Sequence, residues 1–204
     1  MTEAPKAFVA PAVHALAAAE YDATTIAMWN PLVIPMAFQT GAYTRHLLAI
    51  TPLGQQTEAA VDAYSAHHEA RKKVLLNGHC TLHAIVGAEA LHRLAALPGD
   101  VARGQIVHLL VLMRQFTFQV FPFDQTHQGR APFMLTDFPK AGTRKTTVYL
   151  EGDAEGFVDD PEAVCGYAAR IRHLSALALE PFESAEFVQD LLRQYPTTEG
   201  STFS

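Results

Sequence analysis

The side chains best equipped for chemistry in this chain are ten histidines and a polar group that follows Pro35: Gln39, Thr40, Tyr43 and Arg45. An arginine at such a position can hold a carboxylate. His127, in the Phe-Asp-Gln-Thr-His stretch, can exchange a proton near neutral pH. Glu151 ends the apolar run Val148-Tyr149-Leu150, where a charge needs a partner, a pocket mouth or solvent at a sheet edge. If these groups converge, the outcome is a small-molecule site, with His127 and Glu151 as its acid–base pair in the event of catalysis. The alternative roles are structural: Gln39 and Thr40 starting a helix, Tyr43 as a core residue with its hydroxyl paired, and His127 tying a loop.

Other chemistries are not signalled. The sequence contains no G-x-x-x-x-G-K-[ST], G-x-G-x-x-G, G-x-S-x-G or H-E-x-x-H motif, so no cofactor is expected. His79 and His83 have the spacing of two zinc ligands on a helix, but HCTLHAIV (79–86) reads as a strand. Four strand residues span about 13 Å, too far for two ligands on one ion, so no metal is expected. His67 and His68 are adjacent on a helix and read as polar residues of a half-exposed face.

Among the elements that hold those residues, TTIAMWN (24–30) is a strand closed by Asn30-Pro31. Thr40 caps a helix to Ile50. A second helix spans 56–76, with Ala59, Ala63, Ala70 and Val74 on one side. Asp100 caps a helix carrying Val101, Ile106, Leu109, Leu110 and Met113. Three strand-like runs follow, at 116–123, 132–138 and 146–152, and their Gly-, Pro- and Gln-bearing connections suit an antiparallel meander. Asp160-Pro161 opens a further helix, and Ser184 caps a last one with Phe187, Val188, Leu191 and Leu192 as its apolar side. The expected class is α+β: an antiparallel sheet of about five strands with four to six helices. One domain is expected over 15–195, between a flexible N-terminus (1–14) and a flexible tail (196–204).

Bulk properties limit the partners. The 204-residue chain has a formal charge of −6, so it offers no positive field for nucleic acid. The clusters Arg71-Lys72-Lys73 and Lys140 with Arg144-Lys145 read as solvated surface. No export signal or apolar run long enough to cross a membrane is evident, which makes the expected location cytoplasmic. Cys80 and Cys165 lack Cys-x-x-Cys spacing and read as small buried thiols.

One resemblance covers most of the chain. Glu20, Ala23, Trp29, Pro35, Gln39, Thr40 and Tyr43 lie in EYDATTIAMWNPLVIPMAFQTGAYTRHLL (20–48). This stretch resembles the opening of a domain of unknown function widespread in actinobacterial transcription regulators. The match continues in order through TLHAIVGAEAL (81–91), VFPFDQTHQG (120–129), APFMLTDFP (131–139), VYLEGDAEGFVDDPEAV (148–164) and LALEPFESAEFVQDLL (177–192). In that family the domain follows an Xre-type helix-turn-helix, in Scr-type antitoxin-like regulators often paired with a small partner protein. The resemblance implies regulation through a small molecule or such a partner, and a homodimer fits equally. Glu89 and Phe133, inside matched segments, join Gln39, Thr40, Tyr43 and Arg45 as the ligand-binding set.

Two departures shape the expectation. Too few residues precede Glu20 for a helix-turn-helix, so a free-standing domain without direct nucleic-acid binding is expected. Met36, Ala37 and Phe38 replace the family's Gly-Leu-Leu, and Gly87-Ala88-Glu89-Ala90-Leu91, read as strand, shifts one carboxylate by a position. The expected function is therefore a ligand- or partner-binding regulatory domain. The alternative is a cofactor-independent enzyme of a specialised-metabolite pathway, using acid–base or cyclisation chemistry in the same pocket.

Overall fold

The computed structural model describes residues 11–50, 58–77, 79–125, 131–139, 145–151 and 156–195. Within them, seven α-helices and six strands form an α+β fold. The sheet runs in the order β3-β2-β1-β4-β5-β6, with β1 at Thr25–Asn30, β2 at Thr81–Gly87, β3 at Thr117–Phe121, β4 at Phe133–Asp137, β5 at Thr147–Leu150 and β6 at Gly156–Val158. β1, β2 and β3 are parallel, whereas β4 runs antiparallel to β1 and continues into an antiparallel β4-β5-β6 ribbon. The sheet is thus mixed, and the expected meander of 116–123 with 132–138 does not form. Helical crossovers separate β1 from β2 and β2 from β3, as parallel pairing requires. β4 then takes the free side of β1, so β1 is the strand at which the parallel and antiparallel halves meet.

The two faces of the sheet bury different layers. Ile26, Met28, Leu82, Ala84, Val86, Phe118 and Val120 face a large core shared with α1 (Pro11–Asp22), α3 (Glu58–Leu76), α5 (Gly99–Leu112) and α7 (Pro181–Arg193). Ala27, Trp29, Ile85, Phe121, Phe133, Leu135 and Val148 face α6 (Pro161–Leu177) through Val164, Ile171 and Leu174. Alternation by two along each strand produces this division. A buried polar group also fastens α6: His83 Nε2 pairs with Gln119 Oε1 at 2.8 Å, and Ser175 Oγ donates to the same oxygen at 2.6 Å.

Several helix ends differ from expectation. α1 begins at Pro11, inside the segment expected to be flexible. Pro98 rather than Asp100 caps α5. Glu180 caps α7 in a reciprocal box with Glu183. Ser184 is instead buried within α7, where its Oγ accepts the Val120 N–H of edge strand β3 at 2.9 Å. Leu179 N–H donates to the Val120 carbonyl at 2.9 Å, so the start of α7 covers the edge of β3. Asp160 does cap α6, accepting from Ala163 N–H at 2.9 Å. Cys80 is buried as expected, but Cys165 is exposed.

Residues 88–92 form a short helix, α4 (Ala88–His92), and not a continuation of the strand. The chain turns sharply there because Gly87 lies against Pro31: a Cβ on Gly87 would stand 2.3 Å from the Pro31 carbonyl oxygen. That contact is backbone, so no side-chain rotation relieves it. Gly87→Ala is expected to destabilise the protein by about 3 kcal/mol or more, measured as a drop in the urea midpoint. A fully stable variant would show that the β1 and β2 ends do not touch in this way.

Candidate functional site

At its carboxyl end β1 passes into a non-helical segment before α2 (Gly41–Ile50). Backbone that leaves a ladder needs partners, and side chains supply them. Asn30 Oδ1 accepts the Val33 N–H at 3.1 Å. Gln39 Nε2 donates to the Ile34 carbonyl at 2.7 Å, and its Oε1 accepts the Thr44 hydroxyl at 2.9 Å. From α5, the fully buried Gln105 donates to the Phe38 carbonyl and accepts the Thr40 N–H, both at 2.7 Å. Met36–Phe38 close into a single 3-10 turn, and Thr40 caps α2 through Oγ1, accepting the Tyr43 N–H at 3.2 Å.

A cavity of about 440 Å³ opens beside this segment. Its apolar walls include Pro31, Val33, Pro35 and Met36, with Tyr64 and Tyr149. The polar groups on its lining are Asn30, Gln39, His68, Arg71 and Glu151. It lies beyond the carboxyl ends of β1 and β5 and the start of β4, since Trp29 pairs with Phe133 and Phe133 with Leu150. In open sheets, the outer side of strand carboxyl ends is where ligands collect. Asn30 Nδ2 reaches Glu151 Oε2 at 3.3 Å across the opening.

Two ionic features frame the cavity. Arg71 donates through Nε and Nη2 to the two carboxylate oxygens of Glu20 at 2.8 and 2.7 Å. The side chains of this pair are 10% and 3% exposed, so it is a buried, two-pronged tie between α3 and α1. His68 stacks on Tyr64 with ring centroids 4.3 Å apart. Burial, and after it the charges of Arg71, His67 and Lys72, lower its pKa to about 4, so the imidazole is neutral at pH 7.

The expected surface cluster 71–73 therefore faces inward at two of its positions. Arg71 holds Glu20, and Lys72 Nζ donates to the Gln39 carbonyl at 3.0 Å and to Glu69 at 2.6 Å. Lys140 and Arg144 of the other cluster lie outside the described residues. The alanine side of α3 turns outward, with Ala59, Ala63 and Ala70 exposed. Tyr64, His68 and Arg71 line the cavity, while Ser65, Glu69 and Lys72 line a second cleft of about 520 Å³ between α2, α3 and α5. α3 is thus a polar partition.

The second cleft receives Thr40 and Arg45, and its charges cancel internally. Arg45 bonds Asp62 at 2.6 Å with both side chains more than half exposed, and Lys72 bonds Glu69. The Glu69 carboxylate lies 3.7 Å from where a Gly41 Cβ would stand, at the N-terminus of α2. A helix start favours an anion, and here the protein supplies its own.

Among the sequence candidates, Gln39 and Glu151 thus meet in one cavity, and Thr40 and Arg45 in the neighbouring cleft. Tyr43 is a core residue; burial pushes its phenol pKa up, while a bond with the Ile34 backbone and the charge of Arg93 act the other way. Phe133 packs on the opposite face of the sheet, edge-on to Tyr167 and beneath the Arg170 guanidinium. Glu89 sits on α4 and lines neither cavity. His127 lies outside the described residues. The family model for a domain of unknown function, DUF5753, matches residues 13–190. The chain belongs to that family. No curated protein and no solved structure matches this DUF5753 chain significantly. Its cavity residues His68 and Arg71 were missed as site residues, Arg71 because its pairing with Glu20, behind the lining, joins two helices far apart in sequence. The usable signal was a lone Glu20 in an alanine-rich helix.

Two stability outcomes follow for this DUF5753 domain. Glu20→Ala should cost about 3–5 kcal/mol, because it strands a buried guanidinium, whereas Asp62→Ala should cost under about 1 kcal/mol; urea denaturation of both decides. For His68, an unfolded imidazole titrates near 6.5 and the folded one near 4, so the unfolded chain binds more proton between those values. Stability is complete above pH ~6.5 and falls as pH drops toward ~4. His68→Gln should flatten that slope, leaving the smaller part due to His108, whose pKa burial also lowers. An unchanged pH profile would contradict the assignment.

Proposed function

We propose that this domain is a small-molecule receptor of regulatory type, with its ligand held in the cavity beyond β1. One observation carries the reading: an apolar-walled cavity of about 440 Å³ sits where the two halves of the sheet meet, and hydrogen bonds within the protein hold Asn30, Gln39 and Arg71 on its lining. A preformed concave site of that size with a few oriented polar groups is the usual form of a small-molecule site. The resemblance to regulator domains supports the regulatory part, in which ligand occupancy would alter the grip on a small protein partner. Catalysis is the competing reading, supported by the presence of Glu151 on the cavity lining.

Native mass spectrometry of the purified protein is expected to find a retained small molecule, released on denaturation. Val33→Trp, which fills the cavity from its wall, should abolish retention while the protein stays folded by circular dichroism. Retention by Val33→Trp would place the ligand elsewhere. Conversion of the retained compound by the native protein, lost in Glu151→Gln, would replace the receptor reading with the enzymatic one.

A further inference from the structure

The hydrogen-bonding groups on the cavity lining are largely spent on the protein itself. Asn30 uses its amide on Glu151 and its carbonyl on Val33 N–H. Gln39 uses both ends on Ile34 and Thr44. Arg71 is different. Its Nε and Nη2 face Glu20, but Nη1 has no hydrogen-bond partner among the described residues, although the side chain is nine-tenths buried. Nη1 is also not among the partnerless polar atoms sealed from solvent, so it keeps accessible surface on a residue that lines the cavity. A guanidinium carries five N–H donors in a fixed plane, and the Glu20 carboxylate takes two.

The charges nearby determine what this donor can accept. Glu20 neutralises Arg71 at bonding distance, and Glu151 adds a negative charge to the lining. His68 contributes none at neutral pH. A carboxylate entering the cavity would meet one cation already paired and two carboxylates. An ammonium would be drawn to Glu151, but it would leave the Arg71 donor unmatched and set a second cation beside it. A neutral carbonyl oxygen accepts the N–H groups without either penalty.

We propose that Arg71 is the ligand-orienting residue of the cavity, and that the ligand class is a neutral, mainly apolar molecule carrying an amide or comparable carbonyl. This rests on the receptor reading and narrows it. Glu20 is then a positioning residue, holding the guanidinium plane so that its remaining edge meets the cavity.

The test uses matched probes: primary amides, carboxylates and amines, each built on phenyl, indolyl and cyclohexyl bodies, titrated calorimetrically into the full chain at pH 7. The amides should bind about tenfold or more tightly than their charged counterparts. Arg71→Lys keeps a cation opposite Glu20 but lacks Nη1, and should lose the amide preference with its fold intact by circular dichroism. Glu151→Gln removes one of the two negative charges and should narrow the gap between amide and carboxylate by raising carboxylate affinity. If a carboxylate or amine binds as tightly as its amide, or if Arg71→Lys keeps the preference, the proposal is overturned and the receptor reading stands. Should no probe of any body bind, both fall. If Arg71→Lys does not fold, the Glu151→Gln comparison decides alone: an unchanged gap overturns the proposal.

Discussion

Residues 31–40 leave a buried strand without entering a helix, and the requirement that their backbone groups find partners shapes the rest of the structure. Pro31 and Pro35 cannot donate at all. Two buried glutamines carry much of the remainder: Gln39 turns back on Ile34, and Gln105 reaches from α5 to hold Phe38 and Thr40. An amide side chain suits this role because it offers a donor and an acceptor in one plane, as a missing strand would. The segment is consequently held open, and the space beside it is the cavity.

The walls of that space come from two different energetic regimes. On the sheet side, strands buried on both faces pack Trp29, Phe121 and Phe133 against α6, and the His83–Gln119–Ser175 set adds a polar tie. On the helix side, α3 meets its neighbours through charges and hydrogen bonds. A buried ion pair such as Glu20–Arg71 gives little net stability compared with an apolar contact of equal volume. It does fix direction, since two parallel bonds admit one orientation of the guanidinium. The parallel–antiparallel junction at β1 supplies the position, and the ion pair supplies the orientation.

Much of the element list was legible in the residues. Strand β1 with its Asn-Pro stop, the Thr40 cap, the Asp160-Pro161 helix start and the Phe187–Leu192 face all follow from local rules, and all are present. Pairing was not legible. TFQVF in β3 is buried on nearly every position, so it lacks the alternation that would mark its side, and only the crossovers reveal that it runs parallel to β2. The inward face of α3 was not legible for a related reason. Alanine at Ala59, Ala63 and Ala70 is compatible with either side of a helix, and the inward residues are charged. Ser184 showed the same ambiguity, because a serine near a helix start serves equally as a cap or, as here, as the acceptor for an edge strand's N–H. The site candidates Gln39 and Glu151 were visible from their places at segment ends, while the tie between Glu20 and Arg71 joins helices on either side of β1 and leaves no local trace.

The polar inner face of α3 has a mechanical consequence. An apolar helix torn from its core exposes surface that water rejects, so its release is all-or-none. A helix seated by ion pairs and amide contacts can exchange those partners for water at a much smaller loss per contact, and its only fully buried apolar anchor in the described residues is Leu75, near the C-terminal end. α3 is therefore seated by polar contacts along its length and by one fully buried apolar side chain, Leu75, near its end. The same helix forms one wall of the cavity and one wall of the neighbouring cleft, so the two spaces share a single polar partition.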